Sequence, residues 1–153
     1  MKAVSTEENV EIRNPNATRP WQHVLEPLSG YLQIGQKLLE GNIKFAEGWN
    51  LGPDDSEMIT VKEVVENIQK HWSDIKYQLA NTPSDLHEAN LLKLDCSKAH
   101  AKLKWHSVWD CKKTFEATTK WYKNFYKNSK IDSIKDLQDY IKDAKAKDLA
   151  WTK

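Results

Sequence analysis

With 153 residues, 39% apolar and 29% charged, the chain is long enough for one domain with a core and too short for two of ordinary size. Five Gly, five Pro and 10% aromatic residues exclude collagen-like, low-complexity and disordered classes. The net charge of +1 conceals a division: residues 1–97 carry 9 basic and 15 acidic side chains, and residues 98–153 carry 14 Lys and 7 acids.

Residues 9–13 (NVEIR) alternate in polarity and run into Asn14-Pro15-Asn16, which predicts a short strand closed by a turn. A second extended stretch is expected to follow. Pro27 in a first helical turn, with Leu28, Tyr31, Leu32, Gly35, Leu38 and Leu39 beyond it, gives an i, i+3, i+4, i+7 stripe that predicts a helix. Gly41 is its stop, Phe45–Leu51 reads as a strand ending at Gly52-Pro53, and residues 54–57 form an acidic turn.

Thr60 and Glu63 form a capping box ahead of Val61, Val64, Val65, Ile68 and Trp72, which lie on one helical face. Residues 75–79 (IKYQL) alternate as a half-buried strand, residues 89–94 supply another, and Asp95 caps a short helix over 97–103. Asp110 opens a helix carrying Phe115, Thr118, Trp121, Tyr122 and Phe125. Ser133 with Asp136 opens the last, built on Ile134, Leu137, Tyr140, Ile141 and Ala144. The total is a single α/β lobe with a small mixed sheet of about four or five short strands and about five helices.

Several chemistries lack their residues. No Gly-rich strand–turn–helix fingerprint, Walker sequence, GxSxG or HExxH is present, and the five histidines show no ligand spacing, so no metal is expected. Cys96 and Cys111 read as reduced thiols. Tyr126 and Lys130 match the spacing YxxxK, but at a helix end with no nucleotide fold around them. The C-terminal lysines alternate with apolar residues and Asp136, Asp139 and Asp143, which reads as a solvated helix face and predicts no nucleic-acid partner. No run approaches the roughly 18 apolar residues of a membrane span, and the polar start MKAVSTEENVEIRN has no leader-like stretch. A cytoplasmic location is expected.

The segment Arg13-Asn14-Pro15-Asn16-Ala17-Thr18-Arg19-Pro20-Trp21-Gln22-His23-Val24-Leu25-Glu26-Pro27-Leu28-Ser29-Gly30-Tyr31-Leu32 closely resembles a block of the CDP-glucose 4,6-dehydratases. Trp49-Asn50-Leu51-Gly52-Pro53 resembles that family's WNFGP. His87-Glu88-Ala89, Leu92-Lys93-Leu94-Asp95 and Ser97-Lys98-Ala99 resemble its HEA..LKLD.SKA block. Leu103-Lys104-Trp105 is similar to LGW and Thr119-Lys120-Trp121-Tyr122 to T..WY, with Leu137-Gln138-Asp139-Tyr140 matching more loosely. The resemblance spans roughly residues 11–145.

It implies the C-terminal, sugar-nucleotide-binding part of an extended short-chain dehydrogenase/reductase, in which a preceding Rossmann domain holds NAD and the Tyr/Lys pair. In that family CDP-glucose loses a hydride at C4 and water across C5–C6, and NAD returns the hydride to C6, a lyase reaction overall. The chain is therefore expected to be the substrate lobe alone, without the Rossmann domain, without its own cofactor or catalytic residues, and inactive by itself. The implied partners are CDP-glucose or a similar sugar nucleotide and a separate Rossmann-domain chain, with an oligomer open. The alternative is a non-enzymatic interaction module that keeps the fold and pairs with another chain through exposed apolar surface; a lobe parted from its Rossmann domain is expected to expose such surface too, and helix 25–40 and the region near 49–53 are where either reading places it.

Arg19 occupies the place of the family's diphosphate-contacting Arg. The only other Arg is Arg13, and a guanidinium grips a diphosphate bidentately. The other reading is a structural Arg held by a loop carbonyl or Glu26. Asn50 matches a nucleotide-facing position or caps a turn. His87 and Glu88 approach the substrate or stabilise a local turn. Lys104 stands where the family has Gly, and Ser73 where it prefers Gly. A Lys forced to φ > 0 costs about 1 kcal/mol; an ordinary helical or extended geometry is the alternative. Four of the seven Trp (21, 49, 105, 121) sit in the family's own blocks and are expected to pack rather than stack on a ligand.

Overall fold

The structure is a computed structural model that describes residues 1–54, 57–80 and 91–153. A four-residue helix α1 (Lys2–Ser5) precedes strand β1 (Val10–Ile12), and strand β2 (Thr18–Arg19) leads to helix α2 (Leu25–Leu39). A 3-10 turn (Ile43–Phe45), strand β3 (Ile59–Thr60), helix α3 (Val61–His71) and strand β4 (Tyr77–Leu79) follow. A π-helical turn (Ala99–Leu103), helices α4 (Cys111–Asn128) and α5 (Ser133–Ala146) and a 3-10 turn (Ala150–Thr152) complete the chain.

The helix ends follow the predicted chemistry. At α3 the Thr60 hydroxyl accepts from Glu63 N, and the Glu63 carboxylate accepts from Thr60 N, so two orphan amides are satisfied reciprocally. Asp110 accepts from Lys113 N at 2.7 Å to open α4, and Asp95 accepts from Ser97 N at 2.9 Å. Gly41 takes φ +83° after α2, where its amide bonds Leu38 O and the Asn42 amide bonds Lys37 O. That pair is the Schellman pattern, which glycine enters without a Cβ penalty. The last helix differs in detail: its N-cap is Asp132, with no side-chain cap bond.

The strands correct the expected single sheet. Among the described residues β1 pairs in parallel with β4 (Val10↔Tyr77, Ile12↔Leu79), and β2 pairs antiparallel with β3 (Thr18↔Thr60, Arg19↔Ile59). These are two separate two-stranded sheets of four short strands, the low end of the expected number, and Leu91 adds one isolated parallel bridge to Thr18. Residues 89 and 90 of the predicted strand 89–94 lie outside the described residues. Phe45–Leu51 is not a strand: it begins in a 3-10 turn and continues irregularly. An alternating segment becomes a strand only against a neighbour, and within the described residues this one has none.

Two buried clusters flank α2. One joins Val108, Trp109, Ala117, Tyr140 and Ala144; the other joins Leu51, Ala99, Leu103 and Trp105. Gly30 lets α2 approach the second, since a Cβ there would stand 2.4 Å from a Leu51 methyl. None of the seven Trp is fully exposed, and Trp72, Trp105 and Trp109 are buried, as packing residues should be.

Helix α2 turns its polar side inward. Its buried residues are Glu26, Ser29, Gly30 and Gln33, whereas the stripe of Leu28, Tyr31, Leu32, Leu38 and Leu39 faces outward, on the helix where exposed apolar surface was expected. The same holds in part at the end of the chain, where Tyr140 and Ala144 are buried but Ile134 and Leu137 are exposed.

Candidate functional site

Arg19 lies half-buried at the end of β2. Its Nη1 donates to Thr18 O, the carbonyl of the preceding strand residue, at 2.7 Å. Glu26, the other proposed anchor, is occupied elsewhere: it accepts from Val108 N at 2.9 Å, Trp109 N at 2.8 Å and Tyr140 Oη at 2.8 Å. Trp21 follows with its amide on Arg19 O and its indole N–H on Ile59 O, so β2 and β3 stay paired beyond their short ladder.

Asn50 is exposed and donates from Nδ2 to Asp95 O at 3.1 Å, a bond that ties the WNLGP segment to the turn opening the 97–103 helical stretch. Gln22 donates to Leu51 O at 2.9 Å, linking the run after Arg19 to the residue after Asn50. His87 and Glu88 lie outside the described residues.

A hollow of about 440 Å³ opens beside this run, between Gln22–Leu25 and the aromatic side of α4, with Trp121, Tyr122, Ser133 and Asp136 on its far wall. A second, of about 480 Å³, lies under Asn50's partner Asp95 and is lined by Asp54, Lys93, Cys96, Ser97 and His100. His100 stacks on His106 at 4.4 Å and stands 3.8 Å from Asp54.

Titration follows burial. His23 accepts from Leu25 N on Nδ1 and sits edge-on to Trp109, and burial lowers its pKa to about 4. The ring is neutral at pH 7. Burial also raises Glu26, against the pull of its three donors. Cys111 gives its thiol hydrogen to Glu57 O, and burial pushes the thiol up to about 12, so it is a poor nucleophile. Asp136, in the wall of the first hollow, is raised by burial and then by Asp132.

Other sequence matches resolve geometrically. Tyr126 belongs to α4, which ends at Asn128; Ser129 takes φ +52°, and Lys130 lies beyond the helix, paired with Asp132 at 3.0 Å. The Tyr and Lys therefore do not share a helical face. Many C-terminal lysines meet carboxylates at the surface, among them Lys127 with Asp74 and Lys135 with Asp139. Among the described residues no group of three His, Cys, Asp or Glu could hold a metal, and no helix is long and apolar enough to cross a membrane.

Compared with curated proteins, the chain is 41% identical over 143 residues to CDP-glucose 4,6-dehydratase of Salmonella typhimurium, a match covering 92% of this chain. It is a homologue of one part of that enzyme. The match takes up 40% of the dehydratase's own length, so the chain spans well under half of the relative. No family model matches. Among solved structures, UDP-N-acetylglucosamine 4-epimerase from Bacillus cereus superposes with a TM-score of 0.57 at 17% identity, over 77% of this chain and 39% of the epimerase. That likeness shows a shared mixed α/β fold. Arg19, Asn50 and four of the Trp residues were singled out by the resemblance of their sequence blocks. The buried Glu26 knot, by contrast, had no local signal, because its donors lie 82 to 114 residues away.

Proposed function

We propose that the chain is the nucleotide-sugar-binding lobe of a CDP-glucose 4,6-dehydratase, with Arg19 as the diphosphate ligand and Asn50, His87 and Glu88 on the nucleotide side. The carrying observation is the 41% identity across 92% of the chain. The placement of Arg19 is consistent with this role: a guanidinium steadied by Thr18 O has its planar fork oriented before ligand arrives, which lowers the entropy cost of a bidentate grip.

The β3–α3 junction does not fit a dinucleotide. At the direct strand-to-helix junction between β3 and α3, the Glu63 carboxylate already occupies the helix N-terminus through Thr60 N at 2.7 Å. A pyrophosphate would meet a like charge there instead of free amides. We assign hydride chemistry, which NAD supplies when bound, to a part of the enzyme outside these residues, and we expect no turnover from the lobe by itself. The substrate class is CDP-glucose or a close sugar nucleotide.

Calorimetry with CDP-glucose, CDP and NAD tests the reading. CDP-glucose and CDP are expected to bind and NAD to give no heat; silence toward the two cytidine ligands removes the assignment. The second reading, an interaction module, draws on one observation: the apolar side of α2 faces outward.

A further inference from the structure

Between the run that follows β2 and the helices α4 and α5 lies the hollow of about 440 Å³, far more than the roughly 30 Å³ that one water fills. Val24, Leu25 and the rings of Trp121 and Tyr122 form its apolar wall. Trp121 is firmly held: Phe125 stacks on it at 5.4 Å, Tyr122 meets it edge-on at 5.0 Å, and its indole N–H donates to Ser133 Oγ at 3.0 Å. A ring fixed in this way loses little freedom when a ligand settles against it. Neither Arg19 nor Asn50 lines the hollow, and the sugar-nucleotide reading leaves it without a role.

Three polar groups in the wall have no protein partner among the described residues. His23 is only 7% exposed. Its Nδ1 accepts from Leu25 N, so the hydrogen of the neutral ring sits on Nε2. No protein group accepts that hydrogen, yet Nε2 is not sealed in, and the N–H is presented to the hollow that His23 lines. The Thr118 hydroxyl and the Asp136 carboxylate line it too, and neither makes a side-chain hydrogen bond or ion pair among the described residues. Burial and then Asp132 hold the Asp136 carboxyl above its usual range, as befits an acceptor short of donors.

This set selects among ligands. An anion would meet Asp136 as a like charge, and an ammonium would leave the His23 N–H without an acceptor. A hydroxyl donates and accepts at once. A saturated ring with several hydroxyls satisfies all three groups, and its C–H hydrogens suit the negative face of an aromatic ring.

We propose that the hollow binds a neutral polyhydroxylated ring, a single hexose unit, with its apolar side on Trp121 and Tyr122 and its hydroxyls on His23 Nε2, Thr118 and Asp136. Such a unit arrives as a free sugar or as the end of a glycan. The site takes neither phosphate nor nucleotide, so it stands or falls separately from the Arg19 assignment.

The probe is methyl α-D-glucopyranoside, titrated into the full, isotopically labelled chain while the Trp121 indole and His23 ring signals are followed by NMR. Both signals are expected to shift saturably with a Kd on the order of 1 mM, the affinity that ordinary ligand efficiency gives a ring of this size. Thr118→Val keeps the shape and removes the hydroxyl, and Asp136→Ala removes a carboxylate without a protein partner. Each should weaken binding about fivefold or more, with the rest of the spectrum unchanged. Excess CDP should leave the shifts in place. Maltotriose binding about tenfold tighter assigns the site to a glycan end, and equal or weaker binding to a free sugar. No saturable shift at about a hundred times the expected Kd, shifts that both variants leave unaltered, an equal response to cyclohexanemethanol, which lacks the ring hydroxyls, or displacement by CDP would each overturn the proposal.

Discussion

Tyr140 donates its hydroxyl to Glu26 across 2.8 Å, joining α5 to α2 over 114 residues of sequence. The same carboxylate holds Val108 N and Trp109 N, and Ser29 beside it accepts from Trp105 Nε1 and Tyr140 Oη. Glu26 has 0% exposure. A buried carboxylate with three donors fixes where α2, the 105–110 loop and α5 meet, and through α2 it sets which way the apolar stripe points.

Removing that acceptor leaves two backbone amides without partners and the Tyr140 phenol with only the longer bond to Ser29. Glu26→Ala should cost about 3 kcal/mol or more and Glu26→Gln about 1–2 kcal/mol, read from urea unfolding. The pH dependence has a definite sign. Burial raises Glu26, so the folded chain binds its proton more tightly than the unfolded chain, and stability falls as pH rises from the unfolded value upward. The advantage of the wild type over Glu26→Gln should therefore be larger at pH 5 than at pH 7.

His23 works in the opposite direction. Its pKa is lowered from 6.5 to about 4, so its contribution is complete above pH 6.5 and is lost as pH falls toward 4. The loss amounts to at most about 3 kcal/mol. His23→Gln should flatten this part of the urea-midpoint profile. An unchanged slope between pH 6.5 and 4 would show that His23 does not carry it.

The sequence resemblance sets Lys104 against a Gly and Ser73 against a preferred Gly, and the structure separates the two. Lys104 takes φ +55° at the end of the π-helical turn, whereas Ser73 is not among the residues with positive φ. Lys104→Gly should therefore stabilise by about 0.5–1 kcal/mol in thermal or urea unfolding. Ser73→Gly should give no gain, because added unfolded-state freedom is all it brings.

Two glycines on α2 make a matched pair. A Cβ at Gly30 would collide with Leu51, but one at Gly35 would meet nothing within 4 Å. Gly30→Ala should destabilise by about 1–3 kcal/mol. Gly35→Ala should stabilise by up to about 1 kcal/mol through helix propensity. Equal effects would mean that α2 does not press on Leu51 as described.

What the sequence made legible was local. Thr60 with Glu63, Asp110 and Gly41 announced helix ends because a cap is chemistry between residues three or four apart. The α2 stripe was legible as a helix and as the place for exposed apolar surface, but periodicity reports which side is apolar and not what covers it. Phe45–Leu51 failed as a strand for the same reason: pairing is supplied by another segment. Arg19 and Asn50 were found through resemblance, while Glu26 was invisible because its meaning depends on Val108, Trp109 and Tyr140.

The central claim, a lobe that grips a sugar nucleotide through Arg19, is tested most directly by titrating CDP-glucose into the wild type, Arg19→Ala and Arg13→Ala. Arg13 lies exposed just past β1 and serves as the charge-matched control. The account predicts binding by the wild type and Arg13→Ala and at least a tenfold loss for Arg19→Ala, the effect of removing a charge-assisted bidentate contact. Equal affinity in all three proteins, or no binding by the folded wild type, would contradict it.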